Sequence, residues 1–155
     1  MTNDANFAYR ETDAMTTDPV GLVVVLYDML LKDLREALAA LVASDIERRA
    51  AAIRHSMLIL QQLQGTLDMD RGGVVAQNLE RFYNFTRAKL LEGQIKASSE
   101  IFEQQITFVD SIREAWRIVR AEQLADNSAP SADEPVAIPG AILENNPASL
   151  VQWSA

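Results

Sequence analysis

Residues Asp18 to Val42 read DPVGLVVVLYDMLLKDLREALAALV. The segment LVVVLY, taken alone, fits a buried strand. Its flanks decide against that. Asp18-Pro19 is a helix start, with Asp18 as N-cap and Pro19 at the first helical position. Apolar residues recur at Leu22, Leu26, Leu30, Leu34 and Leu38, and again at Val23, Tyr27, Leu30, Leu34 and Leu41. That spacing is helical, and it turns Lys32, Asp33, Arg35 and Glu36 outward. The pattern predicts one helix over about 19–43, roughly 35 Å long at 1.5 Å per residue.

The same reading extends along the chain. Ser44 with Glu47 three residues later forms a capping-box pattern, opening a helix over about 45–68. Its apolar face is Ile46, Ala50, Ile53, Met57, Leu60, Leu63 and Leu67. Gly72 or Gly73 supplies the left-handed residue that ends it, and Asp70 helps begin the next. A third helix, about 74–93, carries Val75, Ala76, Leu79, Phe82, Tyr83 and Leu90, with Gly93 interrupting near its end. A fourth, about 96–124, carries Ile101, Phe102, Phe108, Val109, Ile112, Trp116 and Val119. Short connections make these antiparallel neighbours, so the expected fold is all-α, an antiparallel four-helix bundle over residues 19–125. Residues 1–18 read as a short N-terminal arm. Residues 126–155 hold four of the five prolines, no base, and the acids Asp126, Asp133, Glu134 and Glu144. They are expected to form a disordered or loosely docked tail. Its apolar end, Leu150-Val151-Gln152-Trp153, is a candidate for contact.

Composition narrows the functional classes. The 155 residues suit one domain, and there is no cysteine for a disulfide, a zinc thiolate or a thiol nucleophile. The 22 acids against 14 bases give a net charge of −8, which argues against a nucleic-acid partner. The acidic excess favours solubility. MTNDANFAYRE lacks a basic start before an apolar run, so no signal peptide is expected. No apolar run is long enough to insert in a membrane.

Candidate chemistry was tested at the glycine corner. Asp68, Asp70 and Gly73 match positions one, three and six of a calcium loop. Gly72 and Leu79 stand at positions five and twelve, where ligands are required, so no metal is expected. Gly72-Gly73 is not followed by the Lys-Ser/Thr of a phosphate loop. His55, the single histidine, has no acid at helical spacing and reads as a solvated helix residue. No nucleophile set assembles, so neither an enzyme nor a cofactor is expected. The third helix instead crowds amides and aromatics: Gln77, Asn78, Phe82, Tyr83, Asn84 and Phe85. The three rings cannot share one side of a helix. They form either a wide core face or an apolar groove for a partner helix. Tyr27, if buried, needs a polar partner.

Several stretches, in order and spacing, resemble the flagellin export chaperones, the FliS family. Ala8-Tyr9 is similar to the family's N-terminal Ala-Tyr. Asp18-Pro19 followed by Leu22 through Asp28 resembles its Ser-Pro and Leu-Tyr-Asp-Gly pattern, with Met29 where the family has glycine. Leu67 through Leu79 resembles its Leu-Asp, Gly-Gly and Ala-x-Asn-Leu pattern, with Val74 where the family has glutamate. Phe82-Tyr83-Asn84-Phe85 stands where it has Leu-Tyr-Asp-Tyr, and Ala115-Trp116 matches its Ala-Trp. The resemblance covers about residues 5–120.

The resemblance implies a non-enzymatic chaperone in the bacterial cytosol. It would bind the C-terminal helical segment of flagellin, prevent premature polymerisation, and deliver the subunit to a component of the flagellar export gate. The implied binding residues are Phe7 and Tyr9 on the arm, Leu22, Leu26 and Tyr27 on the first helix, and Ala76, Asn78, Leu79, Phe82, Tyr83 and Phe85 on the third. Met29 adds bulk where the family has none. The expected state is a monomer or weak homodimer. An alternative of another class is a self-associating or adaptor bundle whose groove is filled by its own tail or a second copy.

Overall fold

The computed structural model describes residues 18–128, and these form four helices with no strand. The arm with Phe7 and Tyr9, and the tail from residue 129 with Leu150 to Trp153, lie outside the described residues. Helix α1 spans Pro19–Val42, α2 Ile46–Gly65, α3 Met69–Lys96 and α4 Ser99–Ser128. α1 packs on α2 and α4, and α3 packs on α2 and α4. The helices thus stand in a ring in chain order, each antiparallel to its neighbours, as short corners require.

α1 begins where the sequence predicts. Asp18 has extended backbone, and its side chain accepts from the Val20 N–H at 3.1 Å. The branched run enters the core as helix: Val23, Val24, Leu26 and Tyr27 are buried, and Leu30, Leu31 and Leu34 have no exposed surface. Each such leucine stabilises the fold by about 1.5–3 kcal/mol relative to solvent exposure.

The start of α2 differs from the capping box expected on Ser44. Asp45 is the N-cap, accepting from the Arg48 N–H at 3.0 Å. Ser44 instead turns the corner in the left-handed region at φ 57°. The tight link needs one such residue between helices, and the chain places it one position before the acid. The core face of α2 largely follows the expected one, with Ile53, Leu60 and Leu63 buried and Met57 and Leu67 packed against the core. Arg49, Ala52, Ile53, Ser56, Ile59, Leu60 and Leu63 are buried, whereas Ile46 is exposed. Small Ala52 permits close packing, and Ser56 enters the core because its hydroxyl donates to the Ala52 carbonyl at 3.0 Å.

The glycine pair does not end α2. That helix stops at Gly65, where Thr66 Oγ1 donates to the Leu63 carbonyl at 2.6 Å and Leu67 N–H to that of Gln64 at 3.2 Å. Asp68 then caps α3, its Oδ1 accepting from the N–H groups of Asp70 at 3.1 Å and Arg71 at 3.0 Å. One turn later the backbone kinks at Gly73, with φ 52° and ψ −128°. A Cβ on Gly73 would have open space, so the glycine is required by its backbone angles. Gly93 does not interrupt α3 either. It lies buried inside the helix, where a Cβ would come within 3.1 Å of Ile101 and the Phe102 ring. It lets α4 approach closely, and Ala97, left-handed at φ 49°, ends the helix.

Candidate partner-binding surface

The ring places α1 and α3 on opposite sides of one core, and the nine described candidate residues divide by depth. Leu26 and Tyr27 on α1, and Ala76, Leu79, Phe82 and Tyr83 on α3, are buried. Leu22, Asn78 and Phe85 are half-buried. The helical period explains the division. Phe82, Tyr83, Thr86 and Leu90 lie on the inward face of α3 at steps of three and four, and Phe85 falls about 100° to one side of Thr86.

At the centre the two tyrosines meet. The hydroxyl oxygens of Tyr27 and Tyr83 are 3.0 Å apart, and their rings are tilted by 53° with centroids 6.4 Å apart. This hydrogen bond joins two helices that are not neighbours in the ring. Phe82 packs beside Tyr83 at 5.8 Å between centroids. Burial pushes both phenols well above their ordinary ionisation range, and for Tyr27 the neighbouring Tyr83 adds to the rise. Trp116 on α4 acts on Tyr27 in the opposite direction, although its indole N–H makes no hydrogen bond of good geometry. The pair is therefore a neutral polar clasp inside an apolar core.

The rim is charged. Lys89 Nζ stands 5.8 Å from the Phe85 ring centroid and pairs with Glu92 at 2.8 Å, while Lys96 pairs with the same carboxylate at 2.9 Å. The hydrogen bonds from Lys89 and Lys96 hold the Glu92 carboxyl down to about 2. Arg87 donates to Gln64 Oε1 at 2.6 Å and to Asn84 Oδ1 at 3.2 Å, so Asn84 is engaged along its own helix. On α1, Asp28 pairs with Arg113 of α4, and Met29 stands at the surface, 37% exposed. Its bulk therefore does not enter the core. His55 is exposed as expected but meets Asp33 across the α1–α2 seam at 2.5 Å. The acid comes from another helix, beyond any spacing rule within α2.

The burial of the polar residues Thr86, Gln105 and Arg49 was not expected from the sequence. Arg49 Nε donates to Gln94 Oε1 at 2.9 Å. Thr86 lies four residues from both Phe82 and Leu90, and Gln105 lies between Phe102 and Val109 at helical steps. Period alone marks both as inward-facing. Among the described residues no cluster of histidines, cysteines or carboxylates is placed to hold a metal ion. None of the described helices is long and apolar enough to cross a membrane.

Comparison with known proteins places the sequence in a family. The family model described as flagellar protein FliS matches residues 1–123. The flagellar secretion chaperone FliS of Campylobacter jejuni is 29% identical over 117 residues, covering 76% of this chain and 91% of that protein. The proteins of the same name from Salmonella typhimurium and Bacillus subtilis are each 26% identical. Those matches cover 69% and 71% of this chain, and 80% and 81% of the respective relatives. The chain belongs to the FliS family of flagellar proteins.

Proposed function

We propose that this chain is a cytosolic export chaperone that holds the C-terminal helical segment of flagellin and passes the subunit to a component of the flagellar export gate. The observation that carries the reading is the match of residues 1–123 to the FliS family, whose relatives are named flagellar secretion chaperones. The physics is consistent. A cargo segment that folds as it wraps a bundle gains a large interface and spends part of it on ordering. Covering the segment's apolar face removes the surface from which filaments nucleate.

The burial of the nine described candidates supports a division by role. Leu22 on one side of the core and Asn78 and Phe85 on the other form the contact surface for a segment that wraps the bundle, and Phe7 and Tyr9 on the arm cover part of it when cargo is absent. Leu26, Tyr27, Ala76, Leu79, Phe82 and Tyr83 fix the two helices beneath that surface. Seeded flagellin polymerisation followed by light scattering tests the reading. Equimolar chain suppresses growth, and Asn78→Ala or Phe85→Ala weakens suppression without changing helical content. Unaffected growth in an excess of the wild-type chain overturns it.

A further inference from the structure

The α2–α3 flank of the bundle carries exposed apolar side chains at one end. The Arg49–Gln94 hydrogen bond ties the first turn of α2 to the last turns of α3. Ile46 lies one turn before Arg49, and Leu91 and Ile95 stand three residues before and one after Gln94. They are 65%, 52% and 84% exposed. Single exposed apolar residues are ordinary, whereas three at one end of one flank mark a contact surface.

The charges around them are of both signs. Asp45 is held as the cap of α2, and Arg48 pairs with Glu36 of α1. Glu92 is held by Lys89 and Lys96, and Arg87 donates to Gln64 and Asn84. Glu47 and Arg54 are exposed on α2 and form no ion pair among the described residues. They are seven residues apart, two turns, and so lie on one stripe of the helix. An open acid and an open base on one stripe suit a partner with the same two charges in reverse order. A second copy of this chain, turned end for end, is such a partner.

Two-fold symmetry sets a stricter condition. In such a pair every contact occurs twice, residue i on j and j on i, about one axis. Glu47 meets Arg54 of the other copy only if the axis crosses α2 midway between them, at Ala50 and Ala51. Leu91 meets Ile95 of the other copy only if the axis crosses α3 midway between those two, at Gly93. Because the helices run antiparallel, the Arg49–Gln94 bond sets Ala50 level with Gly93. The charged and the apolar pairings therefore share one axis. Ala50 at that axis is small and half-buried, which lets the two α2 helices approach closely.

We propose that the α2–α3 flank is a self-association surface, on which two copies pack antiparallel about Ala50 and Gly93. Leu91 meets Ile95 and Glu47 meets Arg54, each in both directions. The overlap is about three turns of two helices, on the order of 300 Å² per copy against roughly 800 Å² in a standard stable interface, so the dimer is weak and exchanges readily. Phe85 lies nine residues before Gln94, about 180° round α3. Pairing of copies therefore leaves the Phe85 side of α3 open to another partner.

The absence of native cysteine makes the test direct. Ala50→Cys in the full chain is oxidised at about 0.5 mM, a concentration suited to so small an interface. The expected result is a disulfide-linked dimer, because the two introduced thiols flank the axis. Gln62→Cys, at an exposed position about 120° round α2 from Ala50, links several-fold less. In the Ala50→Cys background, Glu47→Arg or Arg54→Glu alone lowers the linked fraction roughly tenfold, because like charges then oppose each other in two places. Both changes together restore it, since the exchanged charges still pair between copies. Circular dichroism of each variant separates loss of contact from loss of fold. The proposal is overturned if no linked dimer forms, which assigns the flank to another occupant. It is equally overturned if Gln62→Cys links as well as Ala50→Cys, if the single reversals have no effect, or if the folded double reversal stays unlinked. No flagellin is present, so the outcome is independent of the cargo reading.

Discussion

Tyr27 and Tyr83 are buried phenols that satisfy each other, and each therefore depends on the other. Tyr83→Phe leaves the Tyr27 hydroxyl dry and unpaired, at a cost of about 1–3 kcal/mol, whereas removing both hydroxyls costs less than the two single changes added together. Urea unfolding of the two single mutants and the double mutant measures this coupling, and additive losses would show that the hydroxyls do not interact. The sequence indicated that a buried Tyr27 needs a polar partner. It gave no means of choosing Tyr83, 56 residues away on a non-neighbouring helix, because such a contact follows from the order of helices around the core. Glycine makes a second contrast. Gly73→Ala forces a side chain into φ 52°, ψ −128°, costing on the order of 1–3 kcal/mol. Gly65→Ala, in helix with open space around it, stabilises by roughly 0.4–1 kcal/mol. Thermal denaturation should move in opposite directions for the two. A common direction would mean that Gly73 is not held in the left-handed region.

At the scale of the element, helix existence was legible and helix ends were less so. Periodicity fixed four helices because their apolar residues recur over five or more turns. The ends depend on single capping residues, where Ser44-Asp45 offers two solutions and the structure adopts the second. Asp45→Ala should then cost about 1 kcal/mol, and Ser44→Gly should stabilise by up to about 1 kcal/mol by relieving the left-handed serine. A loss on Ser44→Gly comparable to that of Asp45→Ala, in chemical denaturation, would restore the capping box. The face of α2 was legible at Ile53, Met57, Leu60, Leu63 and Leu67 but not at its edges. Its alanines and Ser56 can lie inside or outside, so apolar period alone does not set the edges. Within α3, Lys89 and Lys96 hold Glu92 ionised. Because its folded value of about 2 lies below that of an unfolded carboxyl, its contribution is present above the unfolded value and is lost as pH falls through about 2. Carbon-detected titration of Glu92 should show this low midpoint, and Lys89→Met should raise it. An unmoved midpoint would remove Lys89 as the cause.

For the whole molecule, the ring order of helices explains why the candidate site was only partly legible. The sequence placed Phe82, Tyr83 and Phe85 on one helix and showed that the three could not face one way. It could not say which ring was left at the surface, since that depends on where α2 and α4 flank α3. The structure leaves Phe85 half-buried beside Lys89 and buries the other two rings. The chaperone reading requires this bundle to recognise an amphipathic segment by its apolar face while α1 to α4 keep their order. Isothermal titration of the full chain with the C-terminal segment of flagellin, against the N-terminal segment of the same protein, tests that claim most directly. The C-terminal segment alone should bind saturably, with a heat-capacity change that is negative because apolar surface is buried. Equal binding of both segments, or no binding of either, would contradict it.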